Sequence, residues 1–137
     1  MPHTKFPCEV LTPDGEVFNE DVEMISTRTT LGLIAILANH APLLARLEPT
    51  ELRIYRSDSE ILRFAQAEGF MQMSDNHALL LLEEVSPIEE LDRAELERAR
   101  DDAQRALEVA PAGGEEAARA ERELRRAEAF LGILDEH

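Results

Sequence analysis

Met71-Gln72-Met73-Ser74-Asp75-Asn76-His77-Ala78-Leu79-Leu80-Leu81-Leu82-Glu83-Glu84-Val85-Ser86-Pro87-Ile88-Glu89 is the stretch in which the chain changes its periodicity. Met71-Gln72-Met73 alternates apolar with polar, Ser74-Asp75-Asn76 supplies turn chemistry, and Ala78 to Leu82 is a continuous apolar run of strand length. A run bounded by turns in this way suits a strand buried on both faces. Ser86-Pro87-Ile88-Glu89 then has the form of a capping box. In that motif the Ser hydroxyl accepts from the third backbone N–H and the Glu reaches back to the cap. Leu91-Asp92 offers a second possible start for the same helix.

Upstream of this junction the chain reads as short strands. Pro13-Asp14-Gly15 separates Val10-Leu11 from Val17-Phe18, and Pro followed by Gly is a hairpin signal. Leu52-Arg53-Ile54-Tyr55-Arg56 and Leu62-Arg63-Phe64 alternate with period two, with Ser57-Asp58-Ser59 between them. Phe6, Phe18, Tyr55, Phe64 and Phe70 precede the junction and Phe130 alone follows it. Aromatic residues favour strands and alanine favours helix, so this division marks a change of structural class. Strands recurring at intervals of roughly 8–12 residues indicate a sandwich or a barrel. The expectation is an antiparallel β-sandwich over residues 1–87.

Downstream, Leu96, Ala99, Ala103, Ala106, Leu107 and Ala110 form one stripe of helical spacing. Ala117, Ala120, Leu124, Ala127, Leu131 and Leu134 form a second, and Pro111-Ala112-Gly113-Gly114 breaks the helix between them. Two amphipathic helices on so short a connection must turn back on each other, which predicts an αα-hairpin over residues 88–137. An alanine seam buries little apolar area per turn, so this part is expected to be loosely held. Asp101–Arg105, Glu115–Arg119 and Glu121–Arg125 stand at i,i+4 with the acid first, each pair contributing about 0.2–0.5 kcal/mol. The fold class is therefore β followed by α.

Composition narrows the function. The 137 residues hold 14 Lys+Arg against 29 Asp+Glu, a formal net charge of −15, and no basic patch exists to bind nucleic acid. The single cysteine, Cys8, excludes an internal disulfide framework and reads as a buried thiol. His3, His40, His77 and His137 are scattered without ligand spacing, so no metal is expected. Glycine-rich phosphate loops and nucleophile elbows are missing among the six glycines. Glu83 and Glu84 are adjacent in a strand pattern, which turns them to opposite faces. No catalytic residue and no cofactor is expected. The N-terminus lacks a secretory pattern and the apolar run from Leu31 to Ala38 is far short of the roughly 20 residues of a membrane span, so the expectation is a soluble, cytosolic protein.

One stretch remains: Leu31-Gly32-Leu33-Ile34-Ala35-Ile36-Leu37-Ala38-Asn39-His40-Ala41-Pro42-Leu43-Leu44. Taken alone it is a buried strand followed by a turn in which His40 hydrogen-bonds the loop, or else a loop presented to a protein partner. From Gly32 to Leu44 it resembles the Gly-Glu-(Ile/Leu)-Gly-(Ile/Val)-Leu-x-(Gly/Asn)-His-Ala-Pro-Leu-Leu pattern of the epsilon subunits of F-type ATP synthases. Val10-Leu11-Thr12-Pro13-Asp14-Gly15-Glu16-Val17-Phe18, Gly69-Phe70 before a hydrophobic strand, and Leu91-Asp92 opening an Ala/Arg/Glu helix follow in the family's order. The resemblance spans residues 5 to 135.

That resemblance implies a non-catalytic rotor subunit. The sandwich would dock on the gamma subunit through Asn39, His40, Ala41 and Pro42, and on the ring of c subunits through Thr30, Leu31, Gly32 and Leu33. The helices would either fold against the sandwich or extend toward the alpha/beta catalytic head, where they would inhibit ATP hydrolysis. Membrane attachment would be indirect, at the cytoplasmic face of a bacterial cell membrane. Two positions depart from the pattern: its Glu reads Leu33 and its second Gly reads Ala35, which replaces a polar ring contact with an apolar one. Arg119, Arg122 and Arg126 follow i, i+3, i+7 and form the basic face available for inhibition, within a hairpin of 15 acidic and 8 basic residues and net charge −7.

Two alternatives come from other classes. One is a free-standing adaptor with a helical arm, which recovery of gamma or c subunits in a pull-down would remove. The other is an ATP-binding sensor whose hairpin closes on nucleotide. Relatives that bind ATP carry (Ile/Leu)-Asp-x-x-Arg-Ala, whereas this chain reads Leu91-Asp92-Arg93-Ala94-Glu95-Leu96, and Phe130 replaces a second arginine. Asp92 and Arg126 are the remnant of that site. Each missing arginine removes a charge-assisted contact of about 1.5–3 kcal/mol. A total of about 3 kcal/mol is already a factor above 100 in affinity. Calorimetric titration with Mg·ATP is expected to give millimolar binding or none, and Glu95→Arg with Phe130→Arg to recover part of it; micromolar binding by the unmodified chain would contradict this.

Overall fold

The computed structural model describes residues 3–136; Met1, Pro2 and His137, the last of the four histidines, lie outside the described residues. The chain divides between Pro87 and Ile88 into two compact units.

The described residues of the first unit form ten strands. β1 (Phe6–Thr12) and β2 (Gly15–Val22) form a hairpin around Pro13-Asp14. β3 (Met24–Thr29), β4 (Gly32–Leu37), β5 (Leu43–Leu47) and β6 (Thr50–Tyr55) follow. β7 (Ile61–Gln66), β8 (Gly69–Ser74), β9 (His77–Leu82) and β10 (Val85–Pro87) complete the unit. One half of the sheet runs β2-β1-β9-β8-β5 and the other runs β10-β7-β6-β3, with β4 on β3. The halves join where Thr29 of β3 pairs with Leu47 of β5. The β-sandwich expected from the sequence is present, with one addition. β1 lies parallel to β9, Cys8 opposite Ala78 and Val10 opposite Leu80, a pairing that alternation along one strand does not encode.

Between the halves sits the core, with Phe6, Cys8, Val10, Ile25, Ile36, Leu52, Ile54, Met71, Met73 and Leu80 almost wholly buried. One polar pair is buried with them. Thr27 Oγ1 donates to Gln66 Oε1 at 2.7 Å, and Gln66 Nε2 donates to the Glu48 carbonyl at 2.9 Å. The amide is thereby satisfied at both ends, as a buried polar group must be. It ties β3 and β7 to the bend between β5 and β6.

Two turns are dictated locally. Asp75 (φ 51°) and Asn76 (φ 60°) both take the left-handed conformation, the backbone of a type I′ hairpin turn, which Asn and Asp tolerate best after Gly. Gly69 is fixed by crowding instead: a Cβ there would lie 2.0 Å from the Leu81 carbonyl oxygen. The preceding position tolerates Glu68.

Two expectations are corrected. The run Ala78–Leu82 is not buried on both faces: Ala78, Leu80 and Leu82 point inward, while Leu81 is 46% exposed. β4 likewise buries Ile36 and exposes Leu33, Ala35 and Leu37. Each strand lies in a sheet with an open outer face, which an uninterrupted apolar run conceals.

The second unit is the two-helix hairpin, α1 (Arg93–Val109) and α2 (Glu115–Glu136). The predicted capping box does not form. Ser86 and Pro87 pair with Ala65 and Phe64 in the sheet, and Ile88–Glu90 make a 3₁₀ turn. Asp92 caps α1 instead, its Oδ1 accepting from the N–H groups of Ala94 (2.9 Å) and Glu95 (3.3 Å). The break falls at Pro111–Gly114 as read. The buried face of α1 is narrower than predicted, with Ala103 buried, Leu96, Arg100, Leu107 and Ala110 half-buried, and Ala99 and Ala106 exposed. On α2, Ala117, Ala120, Ala127 and Leu131 are buried as the stripe predicts, and Phe130 and Ile133 join them. Arg105 bonds Asp102 at 2.5 Å rather than Asp101, which Arg100 takes.

Gly69→Ala is expected to lower stability by about 2 kcal/mol or more, because the clash is with backbone and no side chain can yield; equal urea midpoints for the two proteins would contradict this. Burial, with a smaller contribution from the Glu9 carboxylate, pushes the Cys8 thiol up to about 12 from its ordinary 9.0. The folded state therefore favours the neutral thiol, and its contribution to stability is full below pH 9 and lost as pH rises toward 12. Cys8 is expected to resist thiol reagents until urea unfolds the chain, and Cys8→Ala to remove that part of the alkaline slope.

Candidate functional site

The turn between β3 and β4 is held by its own hydroxyl. Thr29 Oγ1 accepts from the Leu31 N–H at 3.0 Å and donates to the Gly32 carbonyl at 3.1 Å. Gly32 takes φ 127°, which an L side chain rarely adopts. With its backbone fixed in this way, Leu31 stands 98% exposed and Leu33 73% exposed, and Thr30 is exposed beside them.

The loop from β4 to β5 is pinned differently. Asn39 takes φ 64°, and its N–H donates to Asn76 Oδ1 at 2.6 Å, tying this loop to the β8–β9 turn. The His40 N–H donates to the Leu37 carbonyl at 3.2 Å. His40 Nδ1 lies 2.8 Å from the Ala41 carbonyl, which can only accept, so Nδ1 is the donor in this bond. Ala41 and Pro42 are exposed. The two surfaces singled out in the sequence thus lie at opposite ends of β4, about 20 Å apart at roughly 3.3 Å per residue.

Further exposed apolar side chains escaped the sequence reading: Leu44 (74%), Phe70 (51%) and Leu81. Phe70 pairs with Leu81 on one side and with Arg46 on the other, making a row across β5, β8 and β9. Leu11, Pro13, Arg46, Phe70 and Leu81 line a shallow depression of about 360 Å³, and Leu31, Leu33, Leu44 and Arg46 line another of about 320 Å³. The signal for Phe70 was available, because Met71 and Met73 claim the inward phase of β8 and leave position 70 facing out.

On the hairpin, Arg119 and Arg122 are exposed and Arg126 is half-buried, so the three do not present one uniformly solvated face. Arg119 reaches Glu123 at 3.6 Å. Asp92 is engaged in the helix cap, Glu95 is exposed, and Phe130 is buried.

Charged groups on the sandwich are arranged in clusters. Arg56 binds Glu20 through two nitrogens at 2.7 and 2.9 Å and Glu60 at 2.9 Å, and the hydrogen bonds from Arg56 hold the Glu20 carboxyl below its usual range. Glu51 pairs with Arg53 and Arg63, and His77 Nε2 lies 2.8 Å from Glu9. Among the described residues no three His, Cys, Asp or Glu side chains converge as a metal would require. What the surface offers is fixed apolar knobs on rigid turns, suited to docking protein.

Residues 5–88 match the family model described as ATP synthase, Delta/Epsilon chain, beta-sandwich domain. The ATP synthase epsilon chain of Protochlamydia amoebophila is 34% identical over 101 residues, covering 74% of this chain and 67% of that one. The epsilon chain of Sulfurihydrogenibium sp. is 31% identical over 128 residues, 93% of this chain and 96% of that one. Among solved structures, a chain of the Euglena gracilis mitochondrial ATP synthase matches with TM-score 0.81 at 21% identity, over 95% of this chain and 81% of that one. A chain of the Tetrahymena thermophila mitochondrial ATP synthase central stalk and c-ring matches with TM-score 0.67 at 19% identity, over 97% of this chain and 98% of that one. The two structural likenesses bear on the fold.

Proposed function

Since this chain belongs to the family of ATP synthase epsilon chains, we propose that it is a non-catalytic rotor subunit that couples gamma and the ring of c subunits to the catalytic head. The observation that carries this reading is the apolar turn. A leucine 98% exposed on a turn fixed by two side-chain hydrogen bonds gains nothing for a free domain, and its neighbours Leu33, Leu44 and Phe70 extend the patch. Contiguous apolar surface rimmed by polar residues marks an interaction site. Thr30, Leu31, Gly32 and Leu33 meet the ring, and Asn39, His40, Ala41 and Pro42 meet gamma. The separation of the two ends of β4 supports two different partners.

No helix among the described residues is long and apolar enough to cross a membrane. The subunit is held at the cytoplasmic face of the cell membrane through the ring. The hairpin restrains ATP hydrolysis by extending toward the alpha/beta head. Its net charge is −7, and we take the basic face of Arg119, Arg122 and Arg126 as the part that makes this contact. Surface charges of this kind steer association and are screened above roughly 0.1 M salt. Inhibition of this sort is weak to moderate and fades as salt rises.

Two measurements test the proposal. The full chain is expected to recover cognate gamma and the c ring in a pull-down, and a chain stopped after Pro87 to stay folded by circular dichroism and still bind gamma. In a reconstituted complex, Arg119→Ala with Arg122→Ala and Arg126→Ala is expected to raise ATP hydrolysis about as much as that truncation. Strong activation by truncation with none from the triple variant would remove the arginines from the mechanism.

A further inference from the structure

The apolar turn has a charge pattern unlike the rest of the chain. From Met24 to Leu47 the sequence holds no Asp or Glu, although 29 of its 137 residues are acidic. The same stretch carries Arg28 and Arg46, both exposed. Elsewhere on the sandwich each arginine is paired, Arg53 and Arg63 with Glu51 and Arg56 with Glu20 and Glu60. Among the described residues no ion pair reaches Arg28 or Arg46.

Register sets these two cations inside the apolar patch. Arg28 is the cross-strand partner of Leu33, and Arg46 that of Phe70. Both arginines flank the Thr29–Leu47 pair that joins the sheet halves, and the Thr30 N–H bonds the Arg46 carbonyl at 3.0 Å. They are therefore diagonal neighbours on one outer surface, with Leu31 at the turn beside them and Leu44 two residues from Arg46. Glu68 and Glu83 share the depression below Phe70 with Arg46.

We propose that this surface docks a carboxylate-bearing loop of the c ring, with acidic side chains on Arg28 and Arg46 and apolar ones against Leu31, Leu33, Leu44 and Phe70. The proposal rests on the rotor reading and gives the chemistry of its ring contact. Two guanidiniums with open forks, held on rigid strands, suit bidentate binding of carboxylates. Apolar neighbours exclude water and make those bonds stronger than surface pairs. A second copy is a poor occupant because each chain carries a net charge of −15.

The test uses the full-length chain and three probes: the cognate c ring in detergent, cognate gamma, and phosphatidylglycerol vesicles. Arg28→Glu with Arg46→Glu is expected to weaken ring binding at least about tenfold at low salt, with the difference shrinking near 0.5 M salt, and to leave gamma binding unchanged. Arg28→Gln with Arg46→Gln, checked by circular dichroism, covers the case in which charge reversal disturbs folding. Leu31→Ser with Leu33→Ser should weaken ring binding equally at both salt concentrations. Changing the acidic residues of the ring loop to Lys should restore binding to the charge-reversed chain. Ring binding indifferent to both arginine variants would overturn the proposal and leave the rotor reading standing. Failure of the unmodified chain to bind either the ring or gamma would overturn both. Arginine-dependent binding to the vesicles without the ring would identify lipid phosphate as the ligand and overturn it, as would self-association lost in the charge-reversed chain.

Discussion

Strand β3 is the constraint on which the first unit depends. Its backbone pairs with β4 along its whole length, with β6 from Met24 to Ser26, and with β5 at Thr29. The β5–β6 segment can serve both halves of the sheet only by bending at Glu48-Pro49. Proline lacks the N–H that a straight ladder would use, so the bend falls where a bond is already missing. The Gln66 amide then accepts from Thr27 and donates to the Glu48 carbonyl, fixing the bend to both β3 and β7. The exposed β3–β4 turn owes its rigidity to this joint, since Thr29 pairs with Leu47 through its backbone and holds Leu31 and Gly32 through its hydroxyl.

Local chemistry made much of this legible in sequence. Pro13-Asp14-Gly15, Ser74-Asp75-Asn76 and Pro111-Ala112-Gly113-Gly114 each act through φ preferences of their own residues, and each falls where a turn or break occurs. What escaped depends on neighbours distant in sequence. The parallel β1–β9 pair is one case, because alternation tells which way a side chain points but not which strand lies beside it. Ser86-Pro87 is another, because its pairing with β7 removed the backbone that a capping box would have needed. Asp92 is the cap instead, the next residue after Ser86 of a type that favours the N-cap position.

The candidate surfaces divide along the same line. Asn39, His40 and Leu31 were readable because they stand in one unusual segment. Leu44, Phe70 and Leu81 come from three strands, and only register assembles them into a patch. The continuous run Ala78–Leu82 concealed this, since five consecutive apolar residues suggest burial on both faces whether or not anything covers the second. An apolar run is evidence of buried area somewhere, including area buried only against a partner.

Net charge gives that patch its selectivity. A chain at −15 repels other acidic molecules at distances comparable with the screening length, about 8 Å at physiological ionic strength. An acid-free stretch carrying Arg28, Arg46 and four exposed leucines is a local reversal of that field. An acidic partner is drawn to this stretch rather than to the rest of the surface, which carries an excess of carboxylates. The hairpin stands under the opposite condition, since its arginines lie among a larger number of carboxylates and Arg119 is already close to Glu123. At low ionic strength the sandwich patch is therefore better suited than the helices to hold an acidic partner.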